Sequence, residues 1–303
     1  MFEQISCKTA LNVSLFKDKL YASINPYIGC THQCRYCYVQ AEKYSKGNET
    51  NSVKVKINIL NVLIKNIARY VRDDKYSQGV IYLGTSSDPY QLAEKEFRIS
   101  YKILCFLLEN TNYNIHIFTK SDLILEDISL FKRYRDRINI SITIITDDEM
   151  LKKIFEPFSS SVNERLNCIK KLTNEGINCG CSIMPILPYI TDSEKALDSL
   201  LRKLKQHNCS YIWWDYLTLR ENITNIPKPS QKQIYFDLLL QHFPGLVKKY
   251  SLLYGNKFLP KKAYQKNIDG KIIRIAKKYS LSYWGPKWTY YRSSNQLVFK
   301  FNH

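Results

Sequence analysis

The chain has 303 residues and a mass of 35.7 kDa, room for one large α/β domain and a smaller appendage. Apolar residues make up 45% and aromatic residues 13%, which excludes disorder as the global state. The formal charge of +18 is uneven, because residues 221–303 hold 15 Lys and Arg against three Asp and Glu. That asymmetry points to a polyanion-facing region near the C-terminus, or to a solvated lysine-rich surface. No apolar stretch reaches the roughly 18 residues of a transmembrane helix, and the first residues lack the build of a signal peptide. Nine cysteines then imply a reducing, cytoplasmic setting without a membrane partner.

In chain order, Tyr21–Ile28, Gly79–Gly84, Asn114–Thr119, Arg137–Ile145, Ile177–Met184 and Ser210–Leu217 are short runs bounded by turn residues. They are predicted strands buried on both faces. Ile57–Arg72 places Leu60, Leu63, Ile64, Ile67 and Val71 at helical spacing. Ser161-Val-Asn-Glu164 and Thr191-Asp-Ser-Glu194 carry capping-box patterns and predict two helix starts. Six β/α units in series imply a parallel sheet with right-handed crossovers. Curled but not closed, this is an α/β fold, a partial (β/α)6 TIM-like barrel with a basic, aromatic-rich C-terminal subdomain.

After Arg220 the pattern changes. Asn222–Gln231, with Pro227 and Pro229, predicts a linker. Gln233–Tyr250 predicts a helix broken at Pro244-Gly245, and Ser280–Phe301, rich in Tyr and Trp, predicts strands. The expected division is an extension over 1–20, a core over 21–220 and a subdomain or lid over 221–303.

The sharpest local feature is Cys30-Thr-His-Gln-Cys34-Arg-Tyr-Cys37, directly after the first predicted strand. Three thiolates in one loop can hold three irons of a 4Fe-4S cluster and leave the fourth open for catalysis. Zinc and chance clustering are the alternatives, but zinc would want a fourth ligand and no second Cys-x-x-Cys pair occurs. His32 lies inside the loop, poorly placed to reach a metal gripped on both sides of it. Active sites of α/β barrels sit at this C-terminal rim of the strands. The other six cysteines, Cys7, Cys105, Cys168, Cys179, Cys181 and Cys209, are expected to be packing residues.

Asn25-Pro-Tyr-Ile-Gly-Cys30 and the cysteines that follow resemble the cluster loop of radical S-adenosylmethionine (SAM) enzymes, in particular the spore photoproduct lyase-like branch. Gly84-Thr-Ser-Ser-Asp88-Pro, Phe118-Thr-Lys120, Asn139-Ile-Ser141, Phe155-Glu156-Pro157, Arg165-Leu166 and Met184-Pro-Ile-Leu-Pro188 follow in order. The resemblance covers about residues 20–220. It implies Cys30, Cys34 and Cys37 as ligands of a 4Fe-4S cluster and SAM as the second cofactor. A reduced cluster would cleave SAM to a 5′-deoxyadenosyl radical that abstracts hydrogen from a substrate, with an electron donor such as flavodoxin or ferredoxin. By position Tyr36 and Tyr38 would flank cluster and adenine, and Ser86 and Asp88 would meet the methionine amine. Lys120 and Ser141 would contact the SAM carboxylate and ribose, and Arg165 is a further candidate for the carboxylate. Read without the resemblance, Ser86 and Asp88 suit helix capping, and Lys120 a solvated strand end.

Thr85 occupies the place where spore photoproduct lyases carry a cysteine that returns hydrogen to the product. A threonine O–H bond is too strong for that task, so the family's last step does not transfer. Two substrate classes remain: a nucleic acid, held by residues 221–303, or a peptide. The first is suggested by Tyr250, Tyr254, Tyr264, Tyr279, Tyr283, Trp284, Trp288, Tyr290 and Tyr291 among the basic residues. Those aromatics would equally build a small core. A non-catalytic iron-sulfur protein is the remote third reading.

Overall fold

Proline breaks the first predicted strand in two. In a computed structural model, which describes residues 2–16, 19–41, 52–73, 76, 78–221 and 229–286, the extension forms β1 (Phe2–Ile5) and β2 (Asn12–Phe16). Then come β3 (Lys19–Ile24) and β4 (Tyr27–Ile28), parted at Asn25-Pro26, where proline has no N–H for a ladder and restricts the residue before it. β4 leaves for a small side sheet, pairing antiparallel with β5 (Val53–Lys56), which pairs parallel with β1. The loop carrying the cysteines follows β4, so this side sheet fixes its entry.

The main sheet adds β6 (Gly79–Leu83), β7 (Asn114–Thr119), β8 (Ile138–Thr143), β9 (Asn178–Ile186) and β10 (Ile212–Tyr216). Its order is β10-β9-β8-β7-β6-β3-β2, every pair parallel except β2 with β3. Six consecutive parallel strands curled into a half-barrel are the partial TIM-like fold expected. Extra strand β2 extends the sheet beyond β3 and forms one edge. At the other, Ile212 N donates to Ser282 O at 2.8 Å and Gly285 N to Ile212 O at 3.1 Å, so the chain's return covers β10.

The predicted strands are buried, yet they alternate. Ile138, Ile140 and Ile142 of β8 face the outer helices, while Asn139, Ser141 and Thr143 face the lumen. The outer layer contains α1 (Ile59–Val71), α2 (Ala93–Phe97), α3 (Ile99–Asn110), α4 (Ile128–Arg133), α5 (Glu149–Phe155), α6 (Val162–Asn174) and α7 (Glu194–Gln206). Leu104 and Leu107 of α3, Leu172 of α6 and Leu201 and Leu204 of α7 are fully buried, each such side chain contributing about 1.5–3 kcal/mol. On α1 only Ile59, Leu63 and Ile67 are buried, whereas Ile64 and Val71 are exposed.

The Ser161–Glu164 capping box forms, with Ser161 Oγ accepting from Glu164 N and the Glu164 carboxylate from Ser161 N. The second does not. Ser193 caps α7, and Thr191 Oγ1 accepts instead from Leu187 N, tightening the turn before the helix. Cys168, Cys179, Cys181 and Cys209 are buried in the outer core, with Cys7 and Cys105 packed against it, and none of the nine cysteines is in a disulfide.

Beyond the linker, whose residues 222–228 lie outside the described residues, come α8 (Gln231–His242) and α9 (Val247–Tyr254). The break falls at Pro244, as expected. These helices share a second core with Cys34, Tyr36 and Phe155 at the cysteine-loop end of the barrel. A third helix, α10 (Lys262–Lys278), was not anticipated. It packs outside the barrel, where Arg274 pairs with Glu194, Lys278 with Asp198, and Tyr264 with Asp192 of the α7 region. The predicted strands over 280–301 fall largely outside the described residues, as do Trp288, Tyr290 and Tyr291. No helix among the described residues is long and apolar enough to cross a membrane.

Candidate active site

The cysteine loop is clamped from four directions. Gln91, fully buried after β6, accepts from Thr31 N at 2.9 Å and donates to Gly29 O at 3.2 Å. Arg35 N donates to Phe155 O at 2.9 Å, and Tyr36 OH donates to Glu156. Gln231 of α8 donates to Tyr36 O at 2.9 Å. His32 Nε2 lies 3.0 Å from Asp88 Oδ2, and its Nδ1 faces Phe158 O at 3.3 Å. His32 thus turns from its neighbouring cysteines toward the β6 loop.

Cys34 is buried, and Cys30 and Cys37 are partly so. Burial, then Asp88, pushes the Cys30 thiol up to about 12. Burial raises Cys34 too, against the opposing pull of the Lys120 ammonium. Among the described residues, no three His, Cys, Asp or Glu side chains already converge on a metal position. The donor set nevertheless fits an iron cluster: three thiols of one loop feel each other's charge. A bound cation would convert such thiols to thiolates.

Lys120 stands among these groups. Burial alone would lower its pKa, but Cys34, Glu156 and Asp88 outweigh burial and hold it above the usual lysine value. Its Nζ lies 5.8 Å from the Tyr36 ring centroid. Asp88 accepts from Thr119 Oγ1 and Lys120 N, both at 2.7 Å, and from Tyr90 N at 2.9 Å. Burial pushes its carboxyl up, yet His32 and these donors hold it below the usual range. Asp88 makes a turn of its own loop rather than a helix cap, and joins that loop to β7.

Ser86 is positioned through its backbone: Ser86 N donates to Asn25 Oδ1 at 2.8 Å, while Asn25 Nδ2 donates to Thr85 Oγ1 at 3.0 Å. Tyr38 OH donates to Thr85 O, tying the cysteine loop to the same turn. Gly84 makes that turn possible, with φ +90° and a would-be Cβ 2.7 Å from Phe118 O.

Arg165 is 1% exposed; its Nη1 sits 2.7 Å from Glu156 Oε2 and donates to Thr143 O at 2.6 Å. Its guanidinium reaches the cysteine loop through Glu156 and Tyr36. Ser141 lies in the lumen between His116 Nε2 at 2.9 Å and Tyr211 OH at 3.0 Å. Geometry therefore gathers Cys30, Cys34, Cys37, Tyr36, Asp88 and Lys120 into one group, with Tyr38 and Ser86 at the adjoining turn.

Sequence reading had missed Asn25, Gln91, Glu156 and Gln231. Asn25 and Glu156 stand inside the motifs already quoted; Gln91 and Gln231 carry no local signal. Arg220 was missed too. It lies 5.8 Å from the Tyr38 ring centroid and 5.4 Å from that of Phe258, with its Nε buried and lacking a hydrogen-bond partner among the described residues.

A half-barrel with a cysteine loop at the C-terminal rim of its strands defines a class, and the Radical SAM superfamily model matches residues 24–201. The chain belongs to that superfamily and is a radical SAM enzyme. An uncharacterized protein of Methanocaldococcus jannaschii is 36% identical over 193 residues, 63% of this chain and 70% of that protein. An uncharacterized protein of Mycobacterium bovis is 26% identical over 291 residues, 93% of this chain and 82% of its own length. Among solved structures, a variant of spore photoproduct lyase with bound AdoMet and dinucleoside spore photoproduct superposes with a TM-score of 0.67 at 16% identity. It covers 86% of this chain and 75% of that one, a likeness of fold.

Proposed function

We propose that Cys30, Cys34 and Cys37 hold a 4Fe-4S cluster, that SAM binds beside it, and that the substrate is a nucleic acid. The observation that carries this reading is the group of three thiols, Lys120 and Asp88 at the barrel rim, with Cys34 buried and the others partly so. When bound, the cluster supplies the electron that cleaves SAM to a 5′-deoxyadenosyl radical. The chain's own residues orient and shield. Lys120 offers an ammonium to the SAM carboxylate, and Tyr36 and Tyr38 wall the cofactor. The turn held by Asn25 presents Ser86 to the methionine amine. Glu156 and Arg165 hold Tyr36 and the loop from behind.

A nucleic-acid substrate is supported by the basic balance of residues 221–303, and by the dinucleoside carried by the structural neighbour. Thr85 argues against a borrowed last step. Its hydroxyl accepts from Asn25 and cannot return a hydrogen atom as a thiol does. Flavodoxin or ferredoxin would serve as the electron source. Anaerobic reconstitution with iron, sulfide, dithionite and SAM tests the reading. Formation of 5′-deoxyadenosine supports it; none from a protein that has taken up iron removes it.

A further inference from the structure

Strand β10 carries side chains that the cysteine site leaves unused. Behind the sheet, Trp214 Nε1 donates to Asp269 of α10 at 2.8 Å, and the Tyr216 hydroxyl donates to the same carboxylate. Trp213 and Asp215 alternate with these two and so point into the lumen. There Trp213 crosses to β7, three strands away. Its ring lies 5.1 Å from His116 at 14° and 5.4 Å from Phe118 at 17°. His116 and Phe118 are 4.4 Å apart at 22°, and Tyr82 continues the stack at 6.2 Å from Phe118. Burial pushes His116 down to about 3, so its ring is neutral and adds no charge to the stack.

Phe118 and Trp213 are partly exposed, so the stack reaches solvent, with Gly285 packed against part of the Trp213 ring. Asp215 is the next residue on that face toward the mouth, and it is exposed. Among the described residues its carboxylate accepts from Tyr216 N at 2.7 Å and pairs with no cation. An aromatic stack that reaches solvent, beside a carboxylate that pairs with no cation among the described residues, suits a planar ring that carries N–H donors. A cationic guest would also suit an aromatic stack and a carboxylate, but a chain of charge +18 disfavours its approach and favours a polyanion.

We propose that the lumen face of β10 recognises one unstacked base of a nucleic acid, the ring packing against the exposed part of the Trp213–Phe118 stack and a base N–H donating to Asp215. This rests on the nucleic-acid reading above and deepens it by assigning the residues that read the base.

The test is fluorescence anisotropy with the full chain, reconstituted anaerobically, at one fixed salt concentration. The probes are short single strands of thymidine, cytidine or adenosine, each with a counterpart whose base N–H groups are methylated. The native chain should bind at least one unmodified strand about tenfold tighter than its methylated counterpart, the size of one good base contact. Asp215→Ala, at an exposed position, should keep the melting temperature and bring that ratio close to one. Trp213→Ala should weaken both members of the pair alike. A native ratio near one, or a ratio unchanged in Asp215→Ala, overturns the assignment while leaving nucleic-acid binding in place. No binding to any strand removes the nucleic-acid reading and this proposal together. Loss in Asp215→Ala of tight binding to a lysine-rich peptide, with no strand bound, would transfer the surface to a peptide substrate.

Discussion

Gln231 and Tyr36 are 195 positions apart, and the side-chain amide of one donates to the backbone carbonyl of the other at 2.9 Å. The same Gln231 side chain donates to Thr218 O and accepts from Arg220 N at 2.8 Å. One fully buried amide therefore joins α8, the exit of β10 and the cysteine loop. The C-terminal region is fastened to the loop it covers.

Gln231→Ala strands three backbone groups, the Tyr36 carbonyl buried and the other two partly so, and a buried group left unsatisfied costs about 1–3 kcal/mol. The expected outcome is a lower melting temperature together with reduced iron retention after reconstitution, read by thermal melts and iron assay. A variant that melts lower but holds iron as tightly as the native chain would show the clasp to be merely structural.

Glu156 gives a pH signature. Burial pushes its carboxyl up, but Arg165, Lys120 and the Tyr36 hydroxyl hold it below the usual glutamate value. Its folded-state pKa is thus depressed, so its contribution is present above the unfolded value of about 4.3 and fades as pH falls toward the folded one. Stability of the native chain should drop in that acid window, and Glu156→Gln should flatten this part of the profile. Near neutral pH the same substitution leaves Arg165 buried without its partner, a loss of about 3–5 kcal/mol, measurable by urea unfolding.

Gly180 is required by space rather than by dihedral freedom. A Cβ there would lie 2.4 Å from the Tyr211 ring, which reaches under β9 to Ser141 and Ile140 O. Gly180→Ala should cost at least about 1–3 kcal/mol, the range for overpacked cores. Gly180→Ala combined with Tyr211→Phe should fare no better, because the clash is with the ring and not the hydroxyl.

If residues 221–303 contact phosphates, charge removal there should act without regard to sequence. Replacing Lys248, Lys249 and Lys257 by Gln should weaken every strand alike and make the log–log salt slope shallower by about one per lost phosphate contact. An unchanged slope would remove those lysines from the interface.

Strand positions were readable because apolar and β-branched runs stop at turn residues, and five of the six predicted strands fall on observed ones. The first failed at Pro26, whose consequence (a second sheet) depends on a partner strand distant in sequence. Helix α10 escaped notice because its buried positions, Ile268, Ile272, Ile275 and Ala276, sit among lysines that dilute the pattern. The loop of Cys30, Cys34 and Cys37 stood out from spacing as a candidate site. Gln91 and Gln231 did not, since a buried glutamine is recognisable only from the carbonyls and amides that surround it. The tyrosines of the basic region divide similarly. Tyr250 and Tyr254 are buried with their hydroxyls on Pro188 O and Leu217 O, whereas Trp284 is exposed against Trp214.

A half-barrel, unlike a closed one, has two edges to protect from pairing with other chains. Here β2 is itself the outermost strand on one side, while on the other the bonds from Ile212 to Ser282 and Gly285 pair the start of β10. The segment just after α10 therefore occupies the start of the β10 edge at Ile212, independently of any part it plays in binding. A chain ending at Tyr279 would leave β10 a bare template, and its failure would appear first as aggregation rather than as lost chemistry.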